Sequence, residues 1–154
     1  MTRLAVVLAT VVFCGYFPVA PGTVGSAAGL VVYLLVWWTH SRLVEVGLIV
    51  VVFALGTWSG TIAERHFQLI DPGPVVIDEV LGMLITLAFI PAGWSAALAG
   101  FVLFRIFDVI KPYPASRFER FHGGLGIMAD DAMAGVYANL ALRLAMWLVP
   151  GLIR

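Results

Sequence analysis

The chain has 154 residues, of which 62% are hydrophobic and only 12% are charged, and its mean hydropathy is +1.02. This length accommodates one domain, residues 1–154, and the composition excludes an ordinary soluble protein, which is about 45–50% apolar and about 25% charged. Nine basic and nine acidic residues give no net charge, so nothing indicates the positive field that nucleic-acid binding requires.

Six apolar runs, separated by short polar segments, organise the chain. Their approximate ranges are 4–17, 27–38, 43–63, 80–90, 95–108 and 132–149. None alternates as a strand does, and an open sheet edge cannot face lipid, so the sequence predicts an all-α, compact helical membrane bundle of about six segments. Only 43–63 reaches the roughly 20 residues that a spanning helix needs, and we expect some of the others to be too short to span fully.

The first run has features of a signal peptide, because Arg3 precedes an apolar stretch that contains Cys14, the only cysteine. Cleavage after Ala20 would place Pro21 beside the cut, which is unfavourable. We therefore expect a retained first helix. A single cysteine excludes an intramolecular disulfide.

Reversal of direction at each turn places three polar segments at the same end of the predicted bundle. These segments are 18–26, 64–79 and 109–131, and they hold most residues capable of chemistry. The basic residues at this end are Arg65, Lys111, Arg117 and Arg120, against Arg3, Arg42 and Arg154 at the other end. Positive charge favours the cytoplasmic side of a membrane, so we expect the polar end to face the cytoplasm.

The segment Pro18-Val-Ala-Pro-Gly-Thr-Val-Gly-Ser26 lies just before the second run and could bind an anion. Gly22 and Gly25 allow backbone N–H groups to approach an anion, and Thr23 and Ser26 offer hydroxyl groups at a helix start. A plain helix N-cap is the alternative interpretation of the same residues.

Two pairs of acids, Asp78-Glu79 and Asp130-Asp131, each precede a helix-like run. Capping of a helix N-terminus accounts for one acid of each pair, but it does not account for two such pairs at one end. Mg²⁺ prefers oxygen ligands, typically carboxylates with phosphate oxygens and water. With one cysteine and three histidines, a zinc site is poorly supported.

Asp108 lies near the end of the fifth run, where a negative charge opposes the helix dipole. Arg105 precedes it by three residues and Lys111 follows by three, so the three side chains occupy adjacent turns of one helical face. They are either a buried ion triad that fixes the helix or a metal-binding Asp flanked by cations that hold an anionic substrate.

His122 opens the glycine-rich turn His122-Gly-Gly-Leu-Gly126 and is the best-placed general acid or metal ligand.

Other phosphatase chemistries fail at specific positions. The position six residues after Cys14 is Ala20 rather than arginine, Asp71-Pro-Gly lacks a second acid, and Gly126 stands four residues after His122 where an Asp is needed. A water nucleophile activated by metal is the remaining option.

Four blocks in the chain resemble the bacterial phosphatidylglycerophosphatase A family, and the likeness covers nearly the full length. The blocks are Ala20-Pro-Gly-Thr-Val-Gly-Ser26, Asp78-Glu-Val-Leu-Gly-Met83, Phe104-Arg-Ile-Phe-Asp-Val-Ile-Lys-Pro-Tyr-Pro114 and His122-Gly-Gly-Leu-Gly-Ile-Met-Ala-Asp-Asp131. The resemblance implies an all-helical, Mg²⁺-dependent enzyme that converts phosphatidylglycerophosphate to phosphatidylglycerol at the cytoplasmic side of the inner membrane. The family's glycine-rich approach to the first block is replaced in this chain by Thr10-Val-Val-Phe-Cys-Gly15.

A working assignment of roles combines the residues with the resemblance. Asp78, Glu79, Asp108, Asp130 and Asp131 hold one or two Mg²⁺ ions. Arg105 and Lys111, with the loop Thr23–Ser26, hold the phosphate, and His122 or a water protonates the leaving alkoxide. The alternative is a non-catalytic membrane bundle that binds or carries an anion. A further enzymatic alternative, alcohol-phosphate transfer, usually carries Asp-Gly, whereas Val109 follows Asp108. A homo-oligomer is left open.

Overall fold

The architecture of the chain is all-helical in a computed structural model that describes residues 1–91, 93–113, 115–118 and 121–149. The helices are α1 (Thr2–Ala9), α2 (Pro21–Trp37), α3 (Arg42–Phe67), α4 (Ile77–Leu87), α5 (Trp94–Ile110), α6 (Ala115–Phe118) and α7 (Gly124–Leu148), with a 3₁₀ turn at Cys14–Tyr16. The described residues contain no strand. The prediction of an all-α fold is confirmed. Pro114, Arg120 and Arg154, which the sequence interpretation included, lie outside the described ranges.

The short helix α4 occupies the centre of the bundle. Its side chains Leu81, Met83, Leu84 and Leu87 are at most 1% exposed, and α4 packs mainly against α7 and α2, with α3 and α5 completing the enclosure. Eleven residues rise only about 16 Å, roughly half of a bilayer's hydrocarbon core. This segment is therefore covered by its neighbours instead of spanning by itself.

Helices α4 and α7 cross at a pair of glycines, which explains how the central helix is held so closely. A β-carbon added to Gly135 would lie 2.6 Å from the carbonyl oxygen of Gly82. That separation is shorter than any van der Waals contact, so the crossing requires glycine at position 135. The backbones approach each other as in small-residue contacts between membrane helices.

Helix α3 is the one helix in the described part of the chain that is long and apolar enough to cross a membrane. It begins at the N-cap Ser41, whose hydroxyl oxygen accepts a hydrogen bond from the N–H of Val44. Only 22% of its most apolar 18-residue window is buried, so most of the helix is available to lipid. Its bounds extend the predicted run 43–63 by one residue at the start and four at the end.

The first predicted run is shorter as a helix than the apolar residues suggested. α1 ends at Ala9, and Val11, Val12 and Phe13 have φ values of 48°, 52° and 70°. The carbonyl oxygen of Ala9 accepts a hydrogen bond from the N–H of Val76. The chain therefore leaves the helix here to make a tertiary contact, which hydropathy does not report.

The last helix begins eight residues before the predicted run 132–149, at Gly124. The N–H of Gly124 donates a hydrogen bond of 2.9 Å to the hydroxyl oxygen of Thr61 on α3. Asp130 and Asp131 consequently lie inside α7 instead of preceding it, and the prediction that they precede a helix is wrong. Their carboxylates are too far along the helix to cap its first N–H groups, which removes the capping interpretation for this pair.

At the opposite end of the bundle, polar side chains bind the turn that joins α4 to α5. The Glu45 carboxylate accepts a hydrogen bond from the N–H of Phe89, and Arg143 donates one to the carbonyl oxygen of Ala88. The side-chain amide of Asn139 donates to the carbonyl oxygens of Ile85 and Thr86 at the end of α4 and to that of Ala88 in the turn. These contacts explain why two isolated charged residues, Glu45 and Arg143, lie within apolar runs: each forms a hydrogen bond with the backbone of this turn.

Candidate active site

Three carboxylates meet where the N-terminal turn of α4 faces the second turn of α7. One oxygen from each of Asp78, Glu79 and Asp131 lies within 4.8 Å of the others. Three of their oxygens, Asp78 Oδ1, Glu79 Oε2 and Asp131 Oδ2, are buried and have no hydrogen-bond partner. We call these three residues the acid triad. Unpartnered carboxylate oxygens that converge in a buried place are costly unless a cation joins them.

Burial raises the pKa of every member of the acid triad. Loss of hydration raises the pKa of Asp78 and Asp131 well above the usual range, and the neighbouring carboxylates raise both further. Loss of hydration also raises the pKa of Glu79, to about 7, although a hydrogen bond with Asp78 and the charge of Arg105 act in the opposite direction. The donors are hard oxygens, which suit a small divalent cation.

Arg105 lies beside the acid triad, on the last turns of α5. Its Nη1 atom is 2.5 Å from the Asp108 carboxylate and 3.5 Å from the hydroxyl oxygen of Ser26. Asp108 in turn bears on the acid triad, because its charge raises the pKa of Glu79 and of Asp131. The side chain of Arg105 is 24% exposed, so the guanidinium can still meet a ligand from outside.

Lys111 ends α5 and supplies the second cation near the acids. It adopts the left-handed backbone conformation, with φ 45°, and its Nζ atom is 2.6 Å from Asp130 Oδ2. Loss of hydration raises the pKa of Asp130, and Lys111 partly offsets this increase. Asp130 is thus paired with a cation, and its oxygens are not among the three that converge in the acid triad.

The first turns of α2 contact the acid triad through their glycines. A β-carbon on Gly22 would overlap the Glu79 carboxylate and lie 3.1 Å from Arg105 Nη1, and one on Gly25 would press on Val76. Ser26 is buried, and its hydroxyl donates to the Gly22 carbonyl oxygen at 2.8 Å. Thr23 is exposed on the outer side of the same turn.

Sequence reasoning named Gly22 and Gly25 as glycines that allow backbone N–H groups to approach an anion. It placed them before the second apolar run, whereas both lie in the first turns of α2. What the sequence did not reveal is that the α carbon of Gly22 lies against both Glu79 and Arg105.

His122 is exposed and lies two residues before α7. Among the described residues, it forms no hydrogen bond or ion pair with the acid triad or with Asp108. The neighbouring Gly123 has a φ of 81° and lies near the hydroxyl of Thr61. The role of His122 as a general acid stays a prediction.

Comparisons with known proteins give a consistent family. The Phosphatidylglycerophosphatase A family matches residues 7–146. The chain is 39% identical over 128 residues to phosphatidylglycerophosphatase A of Escherichia coli K12, covering 79% of this chain and 72% of that protein. It is 36% identical over 125 residues to the protein of the same name from Haemophilus influenzae Rd, covering 80% and 77%.

A third relative carries a different name. The chain is 34% identical over 153 residues to a Bacteroides thetaiotaomicron protein provisionally named phosphatidylinositol-3-phosphatase, covering 95% of this chain and 96% of that protein. No solved structure matches the chain.

Proposed function

This chain belongs to the phosphatidylglycerophosphatase A family, and from that membership we propose that it hydrolyses phosphatidylglycerophosphate to phosphatidylglycerol and phosphate. One observation carries the proposal: three buried carboxylates with unpartnered oxygens lie beside the paired cation Arg105. A site that combines converging acids with an adjacent guanidinium suits a phosphate monoester bound together with a divalent cation.

Mg²⁺ is the cation that we assign to the acid triad, because the three unpartnered oxygens are donors of the kind it prefers. When bound, Mg²⁺ supplies a nucleophilic water of lowered pKa and offsets the charge of the phosphate. Asp108 and Asp130, each paired with a cationic side chain, remain candidate ligands for a second ion.

Arg105 and Lys111 are the residues that we expect to hold the phosphate oxygens. Asp108 and Ser26 restrain the guanidinium of Arg105, so less rotational freedom is lost when the substrate arrives. Lys111 is held by Asp130 and can exchange that contact for a phosphate oxygen. Gly25 lets the start of α2 lie against the first turn of α4, and the exposed hydroxyl of Thr23 can reach the substrate from the outer side.

Departure of the alkoxide requires a proton at the bridging oxygen. His122 is exposed in the turn before α7, and we propose it as the donor. Protonation of the alkoxide by a water molecule instead of His122 is the competing route. A solvent-facing imidazole can regain a proton directly from water, which suits repeated turnover.

We place the enzyme in the bacterial inner membrane, with the acid triad toward the cytoplasm. Support comes from α3, which is long and apolar enough to span, and from exposed apolar side chains on several helices, such as Leu35, Val102 and Leu144. The lipid tails then remain in the bilayer while the headgroup reaches the acid triad.

Phosphate release by the full chain in detergent micelles tests the proposed function. The wild type should release phosphate from phosphatidylglycerophosphate with Mg²⁺ and lose this activity in excess EDTA. Asp131→Asn should lower turnover by at least about a hundredfold, since loss even of a group that only supports a metal ligand typically costs about 10–100-fold. Glu45→Gln, which removes a carboxylate at the opposite end but keeps an acceptor for Phe89, is the matched control. Near-normal turnover of Asp131→Asn would refute the assignment, and no release by the wild type would favour the non-catalytic bundle.

A second substrate is suggested by the relative that is named for an inositol lipid and matches nearly the whole chain. Phosphatidylinositol 3-phosphate should therefore be assayed beside phosphatidylglycerophosphate at the same micelle concentration. We expect the glycerol lipid to have the higher kcat/KM, because its phosphate is a primary ester with less bulk around it. A higher kcat/KM for phosphatidylinositol 3-phosphate would make the inositol lipid the proposed substrate, and the acid triad would keep its proposed role.

A further inference from the structure

An open apolar groove of about 580 Å³ runs along the outer surface of α5 and reaches the active site. Its lining includes Val102, Ile106, Val109 and Ile110, together with Arg105 and Thr23. Val102, Ile106 and Val109 are 55%, 45% and 74% exposed. Residues spaced by three and four lie on one face of a helix, so these side chains form a continuous apolar strip.

Arg105 is the one cationic side chain in the lining of the groove, and the groove shares this residue with the candidate active site. The guanidinium of Arg105 contacts Asp108 and Ser26. It also lies near Gly22, which the Glu79 carboxylate approaches as well. Val109 lies about 10 Å from Val102 along the helix axis, and Arg105 lies between them. A ligand in this groove therefore meets a long apolar wall and one positive group.

We propose that this groove holds an acyl chain of the lipid substrate while the phosphate of the same molecule binds at Arg105. The proposal rests on the proposed function and adds to it the position of the lipid tail. An amphiphile with an anionic head satisfies both the strip and the guanidinium. A purely apolar partner helix would leave Arg105 facing hydrocarbon, which is costly.

Comparison of long-chain and short-chain substrates tests the position of the tail. The probes are dipalmitoyl and dihexanoyl phosphatidylglycerophosphate in the same detergent micelles. Val102→Trp and Ile106→Trp fill the groove, so the kcat/KM ratio of long to short substrate should fall about tenfold in each, chiefly through KM. Leu140→Trp, which adds the same bulk at an exposed position of α7, should leave the ratio unchanged.

Two milder variants protect the test against misfolding. Val102→Gln and Ile106→Gln add polarity without bulk and should lower the same ratio by a smaller factor, with helical circular dichroism equal to that of the wild type. A photoreactive diazirine at the end of the palmitoyl chain should label residues between 101 and 110 in the wild type and not in Val102→Trp.

Specific results would overturn the inference. Unchanged kcat/KM for both substrates in all four variants means that the tail lies elsewhere, and an equal fall of kcat/KM for both chain lengths means that the substitutions act through Arg105. A change in oligomeric mass with unchanged selectivity assigns the groove to a second copy of the chain. Absence of phosphate release by the wild type from either lipid refutes the proposed function itself, and labelling outside α5 refutes the groove alone.

Discussion

At the residue scale, the arrangement of the candidate active site depends on the absence of a side chain at Gly22. A methyl group there would overlap the Glu79 carboxylate and crowd the Arg105 guanidinium. Both obstacles are the ends of flexible side chains, so Gly22→Ala should fold normally. We expect kcat/KM to fall by about tenfold to a hundredfold, because small displacements of positioning groups are costly.

Gly73→Ala is the matched control for this substitution. Gly73 lies in the loop before α4, and a β-carbon there would meet nothing within 4 Å. Its kcat/KM should equal that of the wild type in the micelle assay. Wild-type turnover by Gly22→Ala would show that Glu79 and Arg105 can move without loss of function.

The raised pKa values of the acid triad predict how the metal-free protein responds to pH. The pKa of Glu79 is about 7 in the folded chain against 4.5 ordinarily, so the folded state binds more protons than the unfolded state between these values. Stability therefore decreases as the pH rises through this window, and Asp78 and Asp131 act in the same direction.

Thermal unfolding in micelles with EDTA checks this expectation. Tm should be lower at pH 8 than at pH 5, and Mg²⁺ should restore it most at pH 8, where its ligands are deprotonated. Asp131→Asn should reduce the decrease, because one of the repelling carboxylates is gone. A Tm that rises from pH 5 to pH 8 in EDTA would contradict burial and repulsion of the acid triad as the cause.

Sequence reasoning named five candidate acids but could not tell which of them lie close together. Asp130 and Asp131 are neighbours in α7, and neighbouring residues of a helix point about 100° apart. One therefore joins the acid triad while the other faces Lys111. The rotation of α7 about its axis determines which is which, and that rotation follows from packing at Gly135, one turn further along the helix, where the partner is the distant Gly82.

At the element scale, the crossing of α4 and α7 should govern stability. Gly135→Ala places a β-carbon 2.6 Å from the backbone carbonyl oxygen of Gly82, and neither backbone can move freely. We expect a loss of about 1–3 kcal/mol in the free energy of unfolding, despite the better helix propensity of alanine. Denaturant unfolding in micelles, followed by circular dichroism, measures this change.

Gly47→Ala provides the contrast within a helix. Gly47 lies in α3, and a β-carbon there would meet nothing within 4 Å, so alanine should stabilise the chain by about 0.5–1 kcal/mol. Equal effects of the two substitutions would show that helix propensity, not the crossing, determines the result at Gly135.

Hydropathy predicted the elements well where apolar residues and helix coincide. The run 43–63 lies within α3 and 95–108 within α5. It failed at the start of α7, where the buried acids Asp130 and Asp131 were taken as a polar boundary. It failed also after Ala9, where a backbone contact with Val76 ends α1. Both errors have one origin, which is contact with residues distant in the sequence. Such contacts bury polar residues inside a helix at the start of α7, and they take apolar residues out of a helix after Ala9.

At the scale of the whole molecule, the two ends of the bundle have different chemistry. One end gathers the acid triad with Arg105 and Lys111, while at the other Glu45 and Arg143 bind the α4–α5 turn. The predicted gathering of three polar segments at one end is the part of the topology that short connections make readable from sequence. The enclosure of α4 by its neighbours was not readable, since a buried helix and a lipid-facing helix are equally apolar.

The three unpartnered carboxylate oxygens of the acid triad also have a consequence for the lifetime of the protein in a cell. A chain whose stability depends on a bound cation spends more time partly unfolded when that cation is scarce. Proteases remove partly unfolded molecules first. With a cation bound at the acid triad as proposed, the abundance of this chain should follow the supply of that cation, so that starvation for the ion lowers the amount of protein as well as its rate of turnover.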